Sequence, residues 1–125
     1  MKETISTKSA PAAIGPYSQG IAVGNLVFTS GQLPINPDTG TMPETVGEQA
    51  RQSLLNVKAV LEAAGSGMDK IIKTTVFLAD MNDFAAMNEV YGGFFPAGSF
   101  PARSAVQVAR LPKDALVEIE AVACV

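Results

Sequence analysis

The sequence predicts an α+β fold: strands and helices in the order β-ββ-α-β-α-ββ, with two helices covering one face of a sheet. Three observations carry that expectation. Phe100–Arg110 and Leu116–Ala123 alternate between apolar and polar residues, as strands with two different faces do. Val46, Ala50, Leu54, Val57, Leu61 and Ala64 recur at spacings of three and four, which gives a helix one buried stripe. Ile71–Leu78 is β-branched and continuous enough for a central strand.

Taken in order, residues 2–7 are expected as a short edge strand. Ala10–Ser18 is an ordered loop whose two prolines and glycine constrain the backbone, with Tyr17 set out at its end. Ile21–Val23 and Leu26–Ser30 flank Gly24-Asn25, a two-residue hairpin signal. Gly31–Gly40 is turn chemistry throughout and too long for a plain connector, which points to function. Thr41 with Glu44, and Thr45 with Glu48, each offer a capping box for the first helix, and Gly65 is placed to end it. Asp80 is expected to cap a second helix running to about Phe95. Its inward face reads Phe84, Met87, Asn88, Tyr91 and Phe95, with Asn88 the polar exception.

The short Leu111–Ala115 connection suggests that the last two strands form an antiparallel hairpin. If their apolar faces coincide, Val106 and Val108 line up with Ile119 and Ala121. Arg103 then shares a face with Glu118 and Glu120, turned away from the core. Two helices cannot cover that face, and another copy of the same chain is the economical cover.

At 125 residues, with 47% apolar residues, the chain is expected to form a single domain over 1–125 with a real core. The net charge of −3 and a pI near 4.8 argue against a nucleic-acid partner held by phosphate contacts. The absence of His excludes a Ser-His-Asp or Cys-His nucleophile and a His-ligated metal. The single Cys124 leaves no internal disulfide and no Cys-rich zinc site, as suits a reducing compartment. Met1–Lys8 has no apolar leader and no apolar run spans a bilayer, so a cytoplasmic protein without a membrane partner is expected.

Four stretches carry a family likeness: Ala12-Ala-Ile-Gly-Pro-Tyr-Ser-Gln-Gly20, Thr29-Ser-Gly-Gln-Leu-Pro-Ile-Asn-Pro37, Phe100-Pro-Ala-Arg-Ser104 and Val117-Glu-Ile-Glu-Ala121. In this order, over essentially the whole length, they resemble the RidA (YjgF-type) family of reactive-intermediate deaminases. The resemblance implies a chorismate-mutase-like α+β fold with a mixed sheet. It also implies a homotrimer with the sheets turned inward and clefts between subunits. The implied activity is hydrolysis of 2-imino acids, such as 2-iminobutanoate and 2-iminopropanoate released by pyridoxal-phosphate-dependent dehydratases, to 2-keto acids and ammonia. Arg103 would hold the substrate carboxylate and Glu118 would order the attacking water. Tyr17, Asn88 and the turn at Ser30-Gly31 would shape the cleft. Ala105 would line it at a position where some members carry a Cys, so thiol-based behaviour does not carry over.

The residue types suit that chemistry. An α-imino acid offers a carboxylate and an electrophilic C=N carbon. A planar guanidinium grips a carboxylate through two parallel hydrogen bonds, which a lysine cannot copy. Read from the residues alone, a salt bridge from Arg103 to Glu118 or Glu120 is open as well. Those two glutamates are equivalent by alternation, and only the resemblance selects Glu118 as the base. The substrate is already reactive, so orientation and one carboxylate suffice without metal or cofactor. Tyr17 also reads as a loop anchor, Asn88 as an amide bonded to backbone, Ser30 as a turn residue, and Arg110 and Lys113 as solvated charges. Two other functions stay open. One is a non-catalytic trimer binding 2-keto acids such as 2-ketobutyrate in the same cleft. The other is an endoribonuclease or translation inhibitor, disfavoured by the acidic pI and the lack of His.

Overall fold

Apolar spacing and capping chemistry make the first helix where the sequence places it. In the computed structural model, which describes residues 1–125, α1 spans Val46–Ala63. Thr45 is the cap that forms: its hydroxyl accepts the Glu48 N–H at 3.2 Å. Ala50, Leu54, Val57 and Leu61 are fully buried along one stripe. Gly65, at φ +81°, takes the left-handed turn that ends the helix.

The strands are β1 (Lys2–Ile5), β2 (Gly20–Val23), β3 (Leu26–Thr29), β4 (Ile71–Leu78), β5 (Ala102–Gln107) and β6 (Val117–Cys124). The second helix, α2, is shorter than expected, at Phe84–Gly92. Asp80 does act as a cap, accepting the Asn82 N–H at 2.9 Å, but it caps a single 3-10 turn that precedes α2. At the other end Gly92-Gly93 has the poorest helix propensity short of proline, and the helix stops there. Phe95 is buried all the same, because its ring packs 5.0 Å from that of Tyr91.

The six strands form one mixed sheet in the order β1-β2-β3-β6-β4-β5, with two helices on one face. Every pairing is antiparallel except β4 with β5. The expected hairpin between β5 and β6 does not form, because β4 lies between them. The reason is α2: it carries the chain back along β4, so β5 must start where β4 started and run parallel to it. Residues 108–116 then step over β4 to reach β6, and the Val108 N–H still donates to Leu78 O at 2.9 Å.

That pairing inverts part of the expected face assignment. Arg103 sits opposite Thr74, and Thr74 opposite Ala121, all on the helix-covered face. Val106 sits opposite Phe77, and Phe77 opposite Glu118, on the uncovered face. Arg103 therefore does not share a face with Glu118 and Glu120, and Val106 does not join Ile119 in the core. Val27, Val76, Leu78, Val117, Ile119 and Ala123 fill the covered side without exposure. The uncovered side leaves Phe28 41% and Val106 44% exposed. No helix is long and apolar enough to cross a membrane.

Candidate active site

Strand alternation turns Glu118 of β6 out of the core, and the turn after β3 is laid against it. Gln32 bridges to Ile119 through both backbone groups, its N–H on Ile119 O at 2.8 Å and the Ile119 N–H on its carbonyl at 3.2 Å. This brings Gly31 so close to the Glu118 carboxyl that a Cβ there would lie 2.7 Å from Oε2. Only glycine fits. The Ser30 hydroxyl donates to Ser18 O at 2.5 Å, tying the turn to the Tyr17 loop.

Buried amides hold the surrounding loops. Asn56, almost fully buried in α1, donates to Leu33 O and Ile35 O at 2.9 Å each. Gln19 accepts the Thr7 N–H at 2.6 Å and donates to Pro11 O at 2.7 Å. The result is an open cleft of about 830 Å³ lined by Tyr17, Ser30, Gly31, Lys113, Glu118 and Glu120, among others. Tyr17 is 53% exposed at its edge. Burial, and after it the neighbouring Glu120 carboxylate, push the Glu118 pKa above the usual carboxylate range. A raised pKa makes the ionised carboxylate a stronger base, which suits a group that takes and returns a proton.

Arg103 sits apart from this cleft, on β5 beneath α2. Its guanidinium carbon lies 4.8 Å from the Tyr91 ring centroid and 5.3 Å from that of Phe84. One NH1 hydrogen goes to Asn88 Oδ1 at 2.6 Å. Tyr91 is itself fixed by a buried hydrogen bond between its hydroxyl and Thr74 Oγ1, 2.7 Å. Burial raises the Tyr91 pKa, against smaller lowering effects from Thr74 and the Arg103 charge.

Of the residues singled out from sequence, the structure gathers Tyr17, Ser30, Gly31 and Glu118 in one cleft and joins Asn88 to Arg103 elsewhere. Ala105 lies on the helix-covered face beside Val76, packed against the core rather than in the Glu118 cleft. The open alternative of a salt bridge from Arg103 to Glu118 or Glu120 does not occur within the chain. The one ion pair is between Arg110 and Asp114, exposed, at 2.8 Å. Sequence reasoning missed Gln19, Asn56 and Thr74 as the fixings of the site. The signal was available for Asn56, an amide set between Leu54, Leu55 and Val57 on a helix. Lys113, read as a solvated charge, is exposed but also lines the cleft, on a backbone at φ +57°.

The chain matches the Endoribonuclease L-PSP family over residues 7–125. It is 59% identical over 125 residues to the 2-iminobutanoate/2-iminopropanoate deaminase of Escherichia coli strain K12, covering 98% of each chain. The protein of the same name from Salmonella typhimurium strain LT2 is 58% identical, again over 98% of each. Among solved structures, the E. coli YjgF gene product superposes with a TM-score of 0.93 at 57% identity, covering 98% of both chains. E. coli TdcF with bound serine gives 0.93 at 54% identity over 98% of both. The chain belongs to the Endoribonuclease L-PSP family, among its RidA (YjgF-type) reactive-intermediate deaminases.

Proposed function

We propose that this chain is a 2-iminobutanoate/2-iminopropanoate deaminase, hydrolysing reactive 2-imino acids to 2-keto acids and ammonia. The observation that carries the reading is 59% identity, across 98% of the chain, to an enzyme named for that activity. The two groups the chemistry needs are both present, a guanidinium and a half-buried carboxyl. They lie on opposite faces of the sheet, so one copy alone holds two half-sites.

The site is completed between copies in a homotrimer whose uncovered sheet faces turn inward. The half-exposed Phe28 and Val106 on that face support the assembly, since a second copy removes them from water. Arg103 of one copy then meets the Glu118 cleft of the next. A monomer by light scattering at micromolar concentration would refute this arrangement.

In the completed cleft Arg103 binds the substrate carboxylate. Asn88 occupies one of its five N–H donors and leaves a parallel pair for the two oxygens. Glu118 accepts a proton from water as the water oxygen adds to the C=N carbon, and passes it to the imine nitrogen. A second transfer by the same carboxyl takes the new hydroxyl proton to that nitrogen. The C–N bond breaks, the carbonyl forms, and ammonia leaves. One water enters for each ammonia released, and Glu118 ends as it began. The compartment proposed is the cytoplasm.

The test is a coupled assay with threonine dehydratase and threonine, trapping 2-iminobutanoate with semicarbazide. The wild type is expected to suppress trapping catalytically, and Arg103→Ala to lose that effect. A wild type that leaves trapping unchanged yet binds 2-ketobutyrate would favour the 2-keto-acid-binding trimer instead. The acidic pI and the lack of His weigh against the endoribonuclease reading.

A further inference from the structure

We infer that Phe84 and Tyr91 are positioning residues for Arg103, holding its guanidinium in one pose between aromatic faces while leaving its charge uncompensated. The assignment rests on the reading of Arg103 as the substrate-carboxylate anchor.

Phe84, Asn88 and Tyr91 are spaced i, i+4 and i+7 on α2, so all three project from one helix face toward β5. Arg103 lies on the edge strand of the sheet and would otherwise sample many rotamers. Both rings lie within cation–π range, at 4.8 and 5.3 Å, and the amide oxygen fixes the rotation about the guanidinium at 2.6 Å. No carboxylate of the chain pairs with Arg103. That choice of partners has a consequence. An Asp or Glu in the cradle would hold the side chain equally well but would compete with the substrate's carboxylate. Ring faces and an amide orient the cation and leave its full charge for the ligand.

The cradle is itself braced. The Tyr91 hydroxyl bonds Thr74 Oγ1 at 2.7 Å, and Thr74 is the β4 residue directly paired with Arg103. Ring, hydroxyl and strand pairing close a circuit that fixes where the Tyr91 face stands relative to the guanidinium. Phe95 backs the Tyr91 ring at 5.0 Å, and Phe100 backs Phe95 at 6.3 Å.

The test compares Tyr91→Leu, Tyr91→Phe, Phe84→Leu and Arg103→Ala in the intact protein. It measures 2-ketobutyrate binding by calorimetry, and kcat and KM in the coupled assay. Tyr91→Leu and Phe84→Leu are each expected to weaken binding and raise KM about tenfold, with kcat changing less than about twofold. Tyr91→Phe keeps the ring and is expected to restore most of the affinity, even if its melting temperature falls with loss of the Thr74 bond. Two folded leucine variants with wild-type Kd and KM, beside an Arg103→Ala that no longer binds, would overturn the positioning role. So would losses that follow melting temperature across the series and are not rescued by Tyr91→Phe. Arg103→Ala with undiminished binding would instead overturn the parent reading of Arg103. Should Tyr91→Leu fail to fold, Phe84→Leu, at a half-buried position, decides the matter.

Discussion

Gly31 and the Glu118 carboxyl stand closer than any side chain at position 31 would allow. A Cβ there would meet Glu118 Oε2 at 2.7 Å and Cδ at 2.8 Å. Gly31→Ala is therefore expected to push the carboxyl aside rather than unfold the turn, because the atoms in the way are the end of a flexible side chain. With Glu118 as the proposed base, that loss of position is expected to cost on the order of 100-fold in kcat/KM. The urea midpoint should stay close to wild type. An alanine variant with normal kcat/KM would show that the position of Glu118 does not limit the reaction.

The pH profile should report Glu118. Its pKa is raised, first by burial and then by Glu120, and in its proposed role as general base it must be ionised. Activity is expected to fall as pH drops through that raised value. Glu120→Gln removes the second cause, so the acid limb of kcat/KM should move to lower pH. A limb that does not move would assign it to some other group.

Stability should respond to Glu118 with the opposite sign. A carboxyl whose folded pKa lies above its unfolded value, about 4.3, binds its proton more tightly in the native state. Its contribution is present below the unfolded value and is lost as pH rises through the folded one. Glu118→Gln should therefore match or exceed the wild type in melting temperature at neutral pH while losing activity. A variant clearly less stable than wild type at neutral pH would mean that the ionised carboxylate has a stabilising partner.

Asn56→Ala strips two backbone carbonyls, Leu33 and Ile35, of their donor. A loss of about 1–3 kcal/mol is expected from unsatisfied polar groups at this depth, read by urea denaturation. Hydrogen exchange should quicken across residues 31–40. Unchanged exchange there would show that Gln32 and Ile119 alone hold the loop.

Val106→Glu puts a charge on the uncovered sheet face, at a residue that lines neither the Glu118 cleft nor the Arg103 cradle. Light scattering should show smaller assemblies, and activity should fall with them while circular dichroism keeps the wild-type form. A variant that dissociates yet retains full activity would refute a site completed between copies.

Several features were legible in the sequence because they are local. The Thr45 cap, the Ala50–Leu61 stripe, the Gly24-Asn25 turn and the bounds of β4 follow from capping chemistry and from periods of 3.6 and 2, which any short window displays. The alternation of β5 and of β6 was also right within each strand. The Gly31 turn and Tyr17 were singled out by composition and motif, and they line the Glu118 cleft.

The relation between strands was not local, and there the expectation failed. Alternation fixes which residues of one strand share a face, but it does not say which strand lies alongside. Pairing β5 with β6 put Arg103 beside Glu118. The tertiary structure inserts β4 between them and sends Arg103 under α2, to Phe84, Asn88 and Tyr91. The sequence by itself determined the order of the elements and which residues of each strand share a face. The crossover through α2 decided that guanidinium and carboxyl lie on opposite sides of the sheet, because the neighbour of an edge strand is set by where the preceding helix returns the chain.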